Sequence, residues 1–473
     1  MTLAIILVFT ILGGLVGWLV RSRGRVVLLL VVSALAVYAL QPPLPVRGLD
    51  FWLPTATLAL AVSGWILTAP AEQHPWRANW PAATILAGIV LVLGLTRLLG
   101  FSLPLTASRP PQTLQILMAL FVATLFFSLL AALSKIAKIL LPLAFLAILV
   151  TFIVLKAPGL TTWVSVQLRS LNGQSTTPAA ALDLRWLGFS YLAFRLLHTF
   201  RDRQMGRLPA VTLAEYVIYI IFFPALTAGP IDRIEHFVTD LRRPPALSAG
   251  DWTDAGRRLL VGCFKKFVLA DALGLIALNG ANAVQVRTTG WMWVLLYAYA
   301  FQIYLDFSGY TDIALGLGRL MGFKLPENFS APYLKPNLTQ FWNNWHMTLT
   351  QWFRAYFFNP LTRALRSAKK SLPVPAVIFI TQLATMLLIG LWHGMTANFV
   401  LWGLWHGLGL FAHNRWSELT RARFAALPAA GQKVLNVGGV FLTFNFVTLG
   451  WIFFALPTPS ISWHVFTKLF GLA

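Results

Sequence analysis

The sequence predicts an all-α integral membrane protein, and three observations carry that prediction. Of the 473 residues, 58% are hydrophobic and 11% charged, with a mean hydropathy of +0.71. A water-soluble chain of this length has no polar surface to cover so many apolar groups. The apolar residues fall in runs of about 20, the length a helix needs to cross a hydrocarbon core. The net charge of +22, from 37 Lys+Arg against 15 Asp+Glu, sits in short clusters between those runs, such as Arg21-Ser22-Arg23-Gly24-Arg25 and the stretch 201–207. Clusters of that kind mark loops that face anionic lipid on the cytoplasmic side, and they argue against a nucleic-acid partner. A soluble chain of this length would make about three domains; in lipid it reads as one bundle of many helices, multi-pass in the inner or plasma membrane.

In chain order the expected spans are 2–20, 26–40, 51–68, 82–99, 113–133, 139–155, 184–200, 213–228, 259–278, 290–307, 374–392, 399–412 and 434–455. They number roughly thirteen, short or proline-interrupted runs being the least able to span. The first run has no basic residue before it and a basic cluster after it. That is the pattern of a retained helix with its N-terminus outside, not of a cleaved leader. The 19 Trp residues suit interfacial anchoring. The one cysteine, Cys263, rules out an intrachain disulfide and a cysteine-rich metal site; within its apolar run it reads as a small core residue. No internal repeat or low-complexity tract is visible.

Three segments depart from this pattern. Phe222-Phe223-Pro224 and Thr227-Ala228-Gly229-Pro230 place two prolines near the end of an apolar run, where a helix break needs protein or water beside it. The stretch 311–360 is too polar to span and too aromatic for a solvated loop. Its Phe341, Trp345, Thr348 and Trp352 recur at helical spacing, as in helices that lie at the interface or dip inward. Asp306 and Asp312 flank Phe-Ser-Gly-Tyr-Thr at the end of a hydrophobic run. Intramembrane carboxylates are costly and are functional or paired, and the turn-like setting favours a helix cap or local hydrogen bond.

The segment 388–410 carries Leu-Trp-His-Gly twice, at His393 and His406. On one straight helix this separation is a rise of about 20 Å and a rotation of roughly 220°. With a turn over 394–398, where Thr396 and Asn398 can cap a new helix, the two rings belong to adjacent helices. Neither arrangement gives the i, i+4 pair of a zinc helix, and no metal site is expected. His346 also lies among tryptophans, whereas His74, His198, His236, His413 and His464 fall near expected interfaces or loops. A histidine in lipid stays neutral near pH 7 because burial disfavours the imidazolium. It can then take a proton from a hydroxyl, as acyl transfer to an alcohol requires, or serve in a structural hydrogen bond. No nucleophile elbow or P-loop is present, and Gly316, Gly318 and Gly322 miss the dinucleotide spacing and follow no strand, so they read as close helix packing.

Taken in order, Tyr304-Leu-Asp-Phe-Ser-Gly-Tyr-Thr-Asp312, Pro326-Glu-Asn-Phe329, Phe341-Trp-Asn-Asn-Trp-His346, Trp352-Phe-Arg354 and Gly390-Leu-Trp-His-Gly394 resemble the membrane-bound O-acyltransferase family. The resemblance is to its bacterial branch of alginate O-acetylation and teichoic acid D-alanyl transfer proteins. Phe223-Pro224 with Gly229-Pro230-Ile231, Phe264-Lys265-Lys266 with Ala270-Asp271, and Gly450-Trp451 with Phe453-Phe454 add to it. The resemblance implies a multi-helix bundle with interfacial or re-entrant helices around a central funnel or tunnel. Its N-terminal helices would span 1–183, its catalytic core 184–413, and its C-terminal helix and tail 414–473. It makes His393 catalytic and His346 the second histidine, with His406 packing or hydrogen-bonding. Asn343, Asn344 and Trp345 would line the substrate path, and Trp392, Asp306, Asp312 and Arg354 would support it. Asn343, Asn344 and Ala355 stand where the family often has charge, which bears on the donor head group or carrier. The implied reaction takes an acyl group, first of all acetyl, from a cytoplasmic acyl-CoA or acyl-carrier thioester to hydroxyls of an exported polysaccharide or envelope polymer. It needs no tightly bound cofactor and takes place in membrane lipid, with extracytoplasmic partner proteins. D-alanyl transfer is the alternative, followed by a transporter or a non-catalytic subunit of an export complex.

Overall fold

Apolar runs without strand alternation fold here as helices, and among the described residues the only strand-like pairing is one isolated bridge, Phe329 with Trp345. The computed structural model describes residues 2–18, 24–69, 76–99, 105–244, 246–368 and 372–472; residues 21–23 of the first basic cluster and His74 lie outside them. The chain divides into two compact units, 1–259 with 313–326, and 260–312 with 327–473.

The first unit contains α1 (Leu3–Trp18), α2 (Gly24–Leu40), α3 (Leu49–Thr68), α4 (Trp76–Leu95), α5 (Thr113–Ala132), α6 (Ala137–Lys156), α7 (Pro158–Leu171), α8 (Phe189–Gln204), α9 (Leu213–Ile221), α10 (Ile234–Arg242) and most of α11 (Ala249–Cys263). Its core forms around α9, whose Tyr216, Val217, Ile218, Ile220 and Ile221 are all buried. A helix apolar on every face belongs inside protein, and α2, α3, α4 and α8 pack round it. The expected break falls at Phe222, and Pro224 sits in a short 3₁₀ turn, Phe223–Ala225. Buried Arg195 of α8 donates to the carbonyls of Ile220 (2.8 Å) and Ala225 (2.6 Å), pairing carbonyls the broken helix cannot satisfy. Arg25, expected in a loop facing lipid, is instead buried. It donates to the carbonyls of Leu241 (3.0 Å) and Met321 (2.5 Å) and lies over the Phe323 ring.

The second unit begins with a π-helical turn, Phe264–Ala270. It continues through α12 (Asp271–Gly274), α13 (Asn282–Gln285), α14 (Thr289–Leu320, of which 313–320 count with the first unit), α15 (Leu338–Asn344), α16 (Met347–Phe353), a second π-helical turn (Arg354–Phe358), α17 (Asn359–Arg366), α18 (Val374–His393), α19 (Ala397–Ala425), α20 (Ala429–Ala455) and α21 (Pro459–Leu469). α18 and α19 form an antiparallel hairpin. Its two helices approach so closely that a Cβ on Gly390 would stand 2.3 Å from the Phe399 carbonyl oxygen.

Several expectations need correction. Among the described residues five helices are long and apolar enough to cross a membrane: Leu49–Thr68, Ala78–Leu98, Thr113–Lys156, Val374–His393 and Ala429–Ala455. The roughly thirteen expected spans were counted on apolar content. Several of those runs are short, as in α9, or carry charge, as α8 does with Arg195, Arg201, Asp202 and Arg203, and they bury against protein. The polar stretch set at 311–360 opens ten residues late, because α14 continues to Leu320. Cys263 is half-buried, not a core residue. By contrast, Thr113–Lys156 leaves Leu114, Leu117, Phe121, Val122, Leu125 and Leu129 exposed, an outer face suited to lipid.

Candidate functional site

The second unit builds a site around His346 and His393. The 326–329 segment sets the corner on which His346 stands. Asn328 is fully buried; its side-chain oxygen accepts from the Thr348 amide (3.2 Å) and hydroxyl (2.7 Å). Its carbonyl accepts from the Met347 amide at 3.0 Å, and the Asn344 carbonyl accepts from the Ser330 amide at 3.1 Å. These bonds end α15, start α16 and hold His346 between them at φ 44°, ψ 54°. Among the described residues only Ala331 and His346 are non-glycine residues at positive φ. Such a conformation costs on the order of 1–3 kcal/mol and clusters at functional sites.

The His346 ring is buried edge-to-face on Phe307 (4.7 Å) and near Trp392 (6.2 Å). Neither ring nitrogen meets a hydrogen-bond partner among the described residues. Both ring nitrogens of the buried His406 are likewise unpartnered among the described residues, so the positive φ is what sets His346 apart. Burial lowers the His346 pKa to about 3, so the ring is neutral at any physiological pH. The unfolded ring takes up a proton below its ordinary value of 6.5 while the folded one resists until about 3, so stability falls as the pH drops through that window. Thermal unfolding in detergent at about pH 7.5 and about pH 5 should show the wild type losing more than His346→Asn between the two.

His393 ends α18, half-buried, with its ring on Trp392 (4.5 Å), Phe454 (4.7 Å), Trp402 (5.6 Å) and Phe399 (5.9 Å). Trp392 thus neighbours both imidazoles. The turn over 394–396 puts His406 on α19, so the repeat does belong to two helices. His406 is wholly buried, with Trp402 at 4.8 Å, Trp342 at 5.1 Å and Phe446 at 5.9 Å. Trp345 is buried against Phe329 (5.2 Å), Phe341 (5.5 Å) and Trp451 (5.1 Å).

The other expected residues have hydrogen-bond or ion-pair partners of their own. Asn343 is exposed and accepts from Arg354 at 2.5 Å. The Asn344 amide donates to the Gln340 carbonyl of its own helix at 2.8 Å. Asp306 and Asp312, expected as caps at a helix end, lie inside α14 and pair with lysines of the first π-helical turn. Lys265 donates to Asp312 at 2.7 Å, and Lys266 pairs with Asp306. Between them Gly309 admits the turn: a Cβ there would stand 2.8 Å from the Gly262 carbonyl oxygen and 2.9 Å from the Lys266 amide nitrogen. The single substitution Lys265→Met leaves Asp312 half-sealed against an apolar neighbour and should lose about 1–3 kcal/mol in chemical unfolding. Lys265→Met with Asp312→Leu should recover most of that loss.

Sequence reasoning missed Phe399 and Trp402, which look like ordinary helix filling, and gave Phe454 as a motif residue without placing it on the His393 ring. It also missed the structural part of Asn328, for which the Pro-Glu-Asn-Phe stretch was the available signal.

A family model described as MBOAT, membrane-bound O-acyltransferase family, matches residues 112–456. The chain is 32% identical over 285 residues to a teichoic acid D-alanyltransferase of Streptococcus thermophilus, covering 58% of this chain and 68% of that protein. It is 32% identical over 286 residues to a probable alginate O-acetylase AlgI of Pseudomonas aeruginosa, covering 60% of this chain and 51% of that one. It is 32% identical over 267 residues to a peptidoglycan O-acetyltransferase of Helicobacter pylori, covering 54% of this chain and 47% of that protein. The chain therefore spans about half the length of the latter two.

Proposed function

Since the chain belongs to the membrane-bound O-acyltransferase family, we propose that it moves an acyl group, acetyl first of all, from a cytoplasmic thioester to hydroxyls of an exported polysaccharide or envelope polymer. The observation that carries the reading is the buried, strained His346, whose ring shares Trp392 with His393. His393 takes the proton of the acceptor hydroxyl as its oxygen attacks the thioester carbonyl carbon. The neutral His346 ring donates its N–H to the oxyanion that forms. When the tetrahedral intermediate collapses, the C–S bond breaks and the thiolate recovers the proton from His393. The ester stays on the acceptor, and both histidines return to their starting state.

Acetyl is favoured because two of the similar proteins are named for O-acetyl transfer. D-alanyl transfer is the second reading, favoured by the name of the third. Donor form, acceptor and extracytoplasmic partners are parts of the same proposal. The test is mass spectrometry of base-labile acyl groups on exported envelope polymers, comparing the wild-type strain with a deletion strain. Loss of an acetyl ester supports the first reading, and loss of an alanyl ester the second. An unchanged ester profile would sink both.

A further inference from the structure

We propose that the first unit holds a divalent transition-metal ion on His198, Asp202 and Glu235, distinct from the histidine pair of the second unit. Sequence spacing had placed His198 near a loop and expected no metal. His198 is in fact buried in the middle of α8. Asp202 follows four residues later, on the same helix face. Glu235 enters from the first turn of α10. One ring nitrogen and two carboxylate oxygens, one from each residue, lie within 4.8 Å of one another. His198 Nε2 and Asp202 Oδ2 are 2.9 Å apart. Two adjacent ligands of an octahedral ion held at about 2.1 Å are separated by about 3.0 Å.

The hydrogen bonds on the far side of the ring fix which nitrogen faces the carboxylates. Tyr219 has one hydroxyl proton and gives it to the Asp232 carbonyl at 2.9 Å. The Tyr219 oxygen is then left to accept from His198 Nδ1, 3.0 Å away. With its hydrogen on Nδ1, the ring turns the Nε2 lone pair toward the Asp202 carboxylate. Two lone pairs at that distance repel unless a cation or a proton lies between them. A metal-ligating histidine donates its other N–H to a fixed acceptor in this way.

Glu235 decides between a cation and a proton. Its Oε2 is sealed from solvent and finds no hydrogen-bond partner among the described residues. A proton on Nε2 leaves that oxygen idle. A divalent ion placed among the three uses the idle oxygen as its third ligand. One imidazole nitrogen with two carboxylates, and no sulfur, suits Zn²⁺, Mn²⁺ or Fe²⁺. Such an ion would pin α8 to α10 beside the buried α9, making the site structural in character.

The test uses the full-length protein, purified in detergent without a histidine tag, stripped with a chelator and titrated with Zn²⁺ and Mn²⁺. Elemental analysis should find about one ion per chain, and thermal unfolding should shift upward with metal. Glu235→Gln keeps the side chain's shape and should weaken binding at least about tenfold, as should Asp202→Asn. His236→Gln, altering the exposed neighbour that pairs with Asp232, should leave affinity unchanged. The proposal fails if no ion binds above background. It also fails if both carboxylate variants bind as tightly as the wild type, or if His236→Gln alone removes the ion.

Discussion

His393→Ala, expressed at wild-type abundance, is expected to lower ester formation on the acceptor polymer by about 10²–10⁴-fold, the usual contribution of a positioned general base. The ring sits at a helix end on four aromatic neighbours, two of which, Phe399 and Trp402, lie across the hairpin on α19. The crossing is set by the backbone approach at Gly390 and Gly403, so α18 and α19 should still pack after the change. Protein abundance in the membrane and thermal unfolding in detergent check that point, and mass spectrometry of base-labile acyl groups checks the first. If the ester persists at wild-type level with His393→Ala yet vanishes on deletion, His393 is not the base, and a non-catalytic subunit becomes the better description.

A graded result is expected at His346. His346→Gly should fold at least as well as the wild type, because glycine adopts positive φ freely, and it should lose about 10²–10³-fold in transfer with the oxyanion donor gone. His346→Asn should fold and keep part of the activity, since asparagine tolerates the left-handed region and retains an N–H donor. His346→Ala should be both inactive and less stable, having lost the donor while keeping the backbone strain. Transfer rate and unfolding temperature, measured on all three, separate donor from scaffold. A purely structural residue would make the two quantities rise and fall together, and the glycine variant breaks that link.

Much of the helical framework was legible because its signals are local. The run expected at 374–392 is observed as Val374–His393, and that at 113–133 as Thr113–Ala132. The break at Phe222-Phe223-Pro224 follows from proline's missing N–H. The turn between the two Leu-Trp-His-Gly repeats follows from Gly394 and the residues after it. The unread features are long-range. The partners of Asp306 and Asp312 lie 40 and 47 residues away in sequence, and two adjacent lysines in an apolar run do not announce a π-helical turn. The burial of His198 depends on residues 219 and 235, which no spacing on its own helix reveals. The pattern of Phe341, Trp345, Thr348 and Trp352 fits a helix but gave no sign that the chain breaks at His346, since a left-handed histidine is imposed by Asn328 from outside that pattern. Of the site, the histidines themselves were readable through their motifs; the walls around them, built from three separate helices, were not.

The ring wall at His393 has a bearing on fidelity. A thioester has two competing acceptors, a dilute sugar or polymer hydroxyl and water at overwhelming excess. A base that activated either one equally would act mainly as a hydrolase. Phe399, Trp402 and Phe454 offer the His393 ring aromatic faces, and a stray water there finds few partners to hold it in line for attack. On the proposed chemistry, the ratio of transfer to futile cleavage is then governed by these three side chains, which hold no proton themselves and only pack on the base.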